Sequence, residues 1–137
     1  MLSICGFAQK VTVSELLELK GNSYDDFDTY ATKKGYKFND AIKDDSTARY
    51  IYRTPNSMYT LIYYTEKDIY SQMRYVTLDK NEYIEMKNGL KRMGYKFGKQ
   101  ASKDGKMQLF YSLNFRAIML ESQSIDSEIT MYSFVQN

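Results

Sequence analysis

The amino-acid sequence predicts an α+β fold. Two tandem repeats, each a helix on a four-stranded antiparallel sheet, share one helical layer and one sheet. Gly35-Tyr36-Lys37-Phe38 returns as Gly94-Tyr95-Lys96-Phe97, an offset of 59 positions. A helical apolar pattern precedes each copy, with Tyr24, Phe27 and Ala31 matched by Tyr83, Met86 and Leu90 at the same offset. Four runs rich in Tyr, Ile, Val, Thr and Phe follow each copy, the composition strands favour. Self-similarity at a fixed period marks repeated supersecondary units. Helices and strands grouped in blocks, without strict alternation, mark the α+β class.

Residues 1–8 are uncharged and mostly apolar, too short to cross a membrane. They read as a signal-peptide remnant, with Gly6-Phe7-Ala8 as the small-x-small cleavage pattern. A buried N-terminal strand and a lipid anchor at Cys5 are the alternatives. Export implies a periplasmic or secreted protein. Cleavage after Ala8 leaves a mature chain with no cysteine, compatible with an envelope protein that needs no disulfide.

The first repeat is expected over 9–78. Thr12 and Glu15 cap a short helix with Leu16, Leu17 and Leu19 on its apolar side, ended by Gly21. Ser23 and Asp26 form a capping-box pattern for a second helix, and Gly35 supplies its left-handed stop. Strands are expected over 36–40, 48–54, 58–65 and 70–78. The second repeat, 79–137, opens with Asp79 and Glu82 as a variant capping box and stops its helix at Gly94. Its strands are expected over 95–101, 106–113, 115–122 and 127–135. Pro55-Asn56-Ser57, Lys103-Asp104-Gly105 and Leu113-Asn114 carry turn chemistry.

This element order resembles that of the β-lactamase inhibitor protein family, whose members are built from two tandem helix-plus-four-strand units. The resemblance spans nearly the whole mature chain and rests on the helix–Gly-Tyr-Lys-Phe–strand repeat. It implies an inhibitor-like binding protein that uses its sheet. This chain lacks that family's disulfides, so no inhibitor residues are carried over.

Composition bounds the chemistry. The 137 residues are 43% hydrophobic and 26% charged, with a net charge of +2, which fits a globular domain with no intrinsic pull toward nucleic acid or membrane. No histidine is present and there is one cysteine. That excludes Ser-His-Asp and Cys-His catalysis and Cys/His zinc sites. Gly94 to Lys99 falls short of a phosphate-binding loop, with three residues between its glycines and Gln100 where Ser or Thr belongs. Asp25, Asp26 and Asp28 lack the spacing of a calcium loop, and acids in a first helical turn are favoured by the helix dipole. No metal and no cofactor is expected. Glu66, Asp68, Glu121 and Glu128 are available as a carboxylate pair for a glycan-acting enzyme, a reading that spatial separation decides. Residues 87–106 hold seven cations against Asp104 alone, read as a solvated helix face and a lysine-guarded strand edge.

Strand alternation supplies the candidate surface. Tyr50, Tyr52, Tyr59, Leu61, Tyr63, Met73 and Tyr75 fall on one side. Arg49, Ile51, Arg53, Met58, Thr60, Ile62, Tyr64, Gln72, Arg74 and Val76 fall on the other. Keeping arginines out of a core places the second set away from the helices. Met107, Leu109, Tyr111, Arg116, Ile118, Leu120, Tyr132 and Phe134 are matched to that outer face. Tyr, Arg and Met are enriched at interfaces, so Arg49, Arg53, Tyr64, Arg74, Tyr111, Arg116 and Tyr132 are the expected binding residues. Cross-strand aromatic pairing and burial in a homodimer are the competing explanations for such a face. The function expected is a non-enzymatic envelope or secreted binding module with a protein partner. The alternative is a structural envelope component that assembles with itself or with other proteins, and a glycan-acting enzyme comes third.

Overall fold

The computed structural model describes residues 10–19, 23–67 and 70–136. The signal-peptide reading of residues 1–8, the helix stop at Gly21 and the candidate carboxylate Asp68 lie outside them.

Among the described residues, three helices, α1 (Val13–Glu18), α2 (Tyr24–Lys33) and α3 (Lys80–Arg92), accompany eight strands. These are β1 (Lys37–Lys43), β2 (Thr47–Arg53), β3 (Tyr59–Glu66), β4 (Tyr70–Thr77), β5 (Lys96–Lys103), β6 (Lys106–Leu113), β7 (Arg116–Ser124) and β8 (Thr130–Gln136). They form one antiparallel sheet in the order β1-β2-β3-β4-β8-β7-β6-β5. The two runs of four strands are thus not separate sheets. They meet where β4 pairs with β8, Tyr75 opposite Phe134.

Local chemistry starts the three helices where expected, with one exception in the cap bonding, and stops α2 and α3 at their expected glycines. Thr12 and Glu15 form a complete capping box on α1, and Ser23 accepts from the Asp26 amide at α2. At α3 the Asp79 carboxylate accepts from the Asn81 amide instead, and Glu82 turns into the core. Gly35 and Gly94 have φ of 90° and 92°. The Tyr36 amide bonds Ala31 O and the Tyr95 amide bonds Leu90 O, each at 3.0 Å. Those bonds satisfy carbonyls that a helix end otherwise leaves free. A Cβ built on Gly94 meets nothing nearer than Leu113 Cδ1 at 3.9 Å, so a side chain there is penalised by the backbone and not by crowding. Gly94→Ala is expected to lose about 1 kcal/mol of stability and Gly94→Val more. Urea midpoints measure both, and an unchanged Val variant would show that the helix does not stop there.

The offset of 59 extends into detail. A bulge falls between Phe38 and Asp40 on β1 and between Phe97 and Lys99 on β5. Phe38 meets Tyr52 edge-on at 5.5 Å, and Phe97 meets Tyr111 at 5.6 Å. The β2–β3 and β6–β7 connections differ. The first runs through Pro55, Asn56 and Ser57, while the second is the tight Asn114-Phe115 turn, two residues shorter between paired positions. A two-residue change preserves which face each side chain takes.

All three helices pack on one face. Phe27 meets Tyr52 and Tyr63, Tyr83 stacks on Tyr132 at 4.7 Å, and Gln136 Nε2 donates to Leu16 O. The core they cover runs across the sheet from Tyr52 and Leu61 through Tyr75 and Phe134 to Leu120.

The second half corrects the expected outer face. Tyr111 and Tyr132 pack against the helix-side core, and Ile118, Leu120 and Phe134 are buried in it. Arg116 pairs with Leu113 on that same face. Arg116 faces the helices without being stranded in the core because it begins its strand. From there its Nη2 donates to Leu17 O at 3.1 Å, in the last turn of α1, where free carbonyls and the helix dipole favour a cation.

Candidate functional site

The opposite face carries no helix among the described residues, yet its centre is not open. Val135 is 5% exposed and Glu121 3%. A flat single sheet leaves such positions wet. Two cavities sit side by side on this face and together form a trough.

The first cavity is about 470 Å³ and lies over β2, β3 and β4. Arg49, Arg53, Arg74 and Lys106 reach it, with Ile62 and Tyr64 as apolar floor and wall. Arg53 Nη1 donates to Asn39 Oδ1 at 2.9 Å, and the Arg49 guanidinium stands 5.9 Å from the Tyr64 ring centre. Arg74 differs from these two. Its Nη1 is 2.9 Å from Glu121 Oε1, and Gln108 Nε2 donates to the other oxygen at 2.9 Å. Burial raises the Glu121 pKa, but the Gln108 and Arg74 hydrogen bonds and the charges of Arg74 and Lys106 outweigh it and hold the group below its ordinary value. Among the described residues, Arg49, Arg53 and Lys106 have no carboxylate in ion-pair contact.

The second cavity, about 530 Å³, lies over β5, β6, β7 and β8. Phe110, Ala117, Met119 and Val135 make it mostly apolar, with Lys99 at its margin, its ammonium 5.2 Å from the Phe110 ring centre. Gln72 borders both cavities. Cross-strand partners join them in one row, Ile62–Arg74–Val135–Met119–Phe110.

Of the residues expected to bind, Arg49, Arg53, Tyr64 and Arg74 come together in the trough; Tyr111 borders the second cavity but packs against the helix-side core, and Arg116 and Tyr132 do not join them. The basic stretch over 87–106 is split between the faces, since Lys87 covers Tyr83 on the helix side while Lys99 and Lys106 reach the trough. Phe110 and Met119 carry the second cavity and were missed. Applying the repeat offset to Ile51, an outer residue of the first half, leads directly to Phe110.

No protein-family model, curated protein or solved structure matches the chain.

A third cavity of about 510 Å³ lies between the start of α1 and α3. Glu82 lines it, buried, with Tyr75 donating to its Oε1 and, among the described residues, no hydrogen-bond partner for Oε2. Burial raises its pKa, against the Tyr75 hydrogen bond and the Lys10 charge, which lower it. The sequence shows only an acid in a first helical turn, where the capping-box variant with Asp79 assigns it a cap. Asp28 in α2 accepts from the Tyr52 hydroxyl, which gives it a packing role in place of a calcium one. Among the described residues no group of His, Cys, Asp and Glu is arranged to hold a metal ion.

Proposed function

We propose that this chain is a non-enzymatic binding module, inhibitor-like in architecture, that receives a partner protein in the trough of its sheet. It acts in the periplasm or outside the cell. The observation that carries this reading is a contrast between faces. At the 59-residue offset four helix-side aromatics repeat, Tyr24 with Tyr83, Tyr36 with Tyr95, Phe38 with Phe97 and Tyr52 with Tyr111, while Phe27 and Tyr50 keep an apolar counterpart in Met86 and Leu109. The trough positions do not repeat. Arg49, Ile51 and Arg53 stand where the second half has Gln108, Phe110 and Ser112. Packing needs explain the repeated set. Two identical halves need no such difference on an uncovered face, whereas an asymmetric partner does. The element-order resemblance to the β-lactamase inhibitor protein family favours the same use of the sheet.

Wild-type protein and the Arg53→Ala and Tyr64→Ala variants, each immobilised and exposed to the same envelope extract, test the reading. Each variant is expected to weaken capture of the wild-type partner by about 1–2 kcal/mol, with thermal midpoints close to wild type. Equal capture by all three baits would remove the trough from the binding surface. A concentration-dependent dimer with the trough protected from hydrogen exchange would favour the self-assembling structural component instead.

A further inference from the structure

The two cavities differ in chemistry, and that difference specifies a ligand. Over β2–β4 the trough presents Arg49, Arg53 and Lys106, none engaged by a carboxylate among the described residues. The one acid at the trough centre, Glu121, is occupied by Arg74 and Gln108, so it cannot neutralise the other cations at contact distance. Over β6–β7 the trough is lined by Phe110, Met119 and Val135. Both cavities lie on one cross-strand row, so a single extended segment crossing the strands passes over both.

Resting on the trough as the binding surface, we propose that it recognises a segment of a partner protein that carries an acidic side chain and a large apolar side chain at a set spacing. The carboxylate enters the cavity over the middle of β3 and β4, into which Arg49 and Arg53 reach from β2, and a guanidinium pairs with it there through two parallel hydrogen bonds. The apolar side chain fills the Phe110–Met119 cavity. From the middle of β3 and β4 to the middle of β7 and β6 is three strand spacings, about 14 Å at about 4.8 Å each. An extended chain covers that distance in about four residues at about 3.5 Å per residue. A sulfated polysaccharide or an anionic bilayer satisfies the cations but has no use for the neighbouring apolar cavity. The pairing of the two sites therefore favours a protein segment.

The test uses the full chain against a displayed library of random 12-residue peptides, followed by anisotropy measurements on synthesised hits. The expected hits carry Asp or Glu three to five positions from Phe, Leu, Met or Tyr. Arg49→Gln with Arg53→Gln should weaken them at least tenfold, and the wild-type affinity should fall as salt rises. Phe110→Asp or Met119→Asp should weaken them similarly. Thermal unfolding of each variant separates lost binding from lost fold. Hits without an acid, or hits indifferent to the arginine pair but sensitive to Met119→Asp, overturn the acidic specificity and leave the trough as the binding surface. Hits indifferent to every trough variant, or no hits at all, overturn both. Heparin or anionic vesicles that bind the wild-type chain, lose binding in the arginine variant and ignore Met119→Asp overturn the protein-segment assignment in favour of an anionic polymer or surface.

Discussion

Phe134→Ala is expected to cost about 3–5 kcal/mol, the range for deleting a fully buried aromatic side chain. Phe134 is 0% exposed. It lies opposite Tyr75 on β4 and Leu120 on β7, so the cavity opens at the seam between the halves. Backbone hydrogen bonds surround the site on both sides, which limits how far the strands can collapse into the space. Domains of this kind hold only about 5–15 kcal/mol in total, so the variant sits near its unfolding limit. If the sheet is one cooperative unit, both halves lose protection together. Urea unfolding followed by circular dichroism gives the energy, and hydrogen exchange at β2 and β6 amides reports the halves separately. Wild-type protection at β2 with loss at β6 would mean that the halves fold independently and that the β4–β8 pairing joins two stable units.

Much of this architecture was legible because it is written locally. Gly94, the Thr12–Glu15 pair and the Asp104-Gly105 turn each act on backbone within a few residues, and each is found in its expected role. The outer face was legible only in half of the molecule. In the first half Arg49, Arg53 and Arg74 fix the parity of β2 and β4, and the reading holds. In the second half the same electrostatic rule, applied to Arg116, inverts β6, β7 and β8. The repeat offset held the right answer. Because 59 is odd, the even-numbered inward residues Tyr50 and Tyr52 correspond to the odd-numbered Leu109 and Tyr111, and these pack on the helix-side core. Where a charge and a repeat disagree about a face, the repeat integrates many packing contacts, while one charge can be satisfied at a strand end by a single carbonyl. Glu82 was illegible for a different reason. An acid at N3 of a helix is favoured by the dipole, and only the tertiary position of Tyr75 reveals that it is buried.

Arg74→Met is expected to lose about 3 kcal/mol at neutral pH, the lower end for breaking a buried pair. The Arg74 side chain is itself about a quarter exposed, while that of Glu121 is buried. The loss comes mainly from Glu121, left charged, buried and bonded by Gln108 alone. Its sign with pH follows from the wild-type shift. Glu121 is lowered in the folded protein from an ordinary 4.5, so its pair stabilises fully above that value and fades as pH falls through the folded pKa. Without Arg74, burial prevails, the Glu121 pKa rises, and the variant gains stability on protonation. The gap between wild type and variant should therefore be wide at pH 7 and narrow steadily toward pH 3. Urea titrations at several pH values measure it, with Glu121→Gln as the control that carries no charge to strand. Arg74→Met with Glu121→Gln should recover most of the loss, because a neutral amide no longer needs the cation. A gap that does not change with pH would mean that Arg74 contributes by packing alone. The same measurement separates the arginines of the trough. Arg74 is committed to Glu121 and holds the floor on which both cavities rest. Arg49 and Arg53 have no such commitment among the described residues, and their loss should leave stability nearly unchanged while removing the charge that a partner meets.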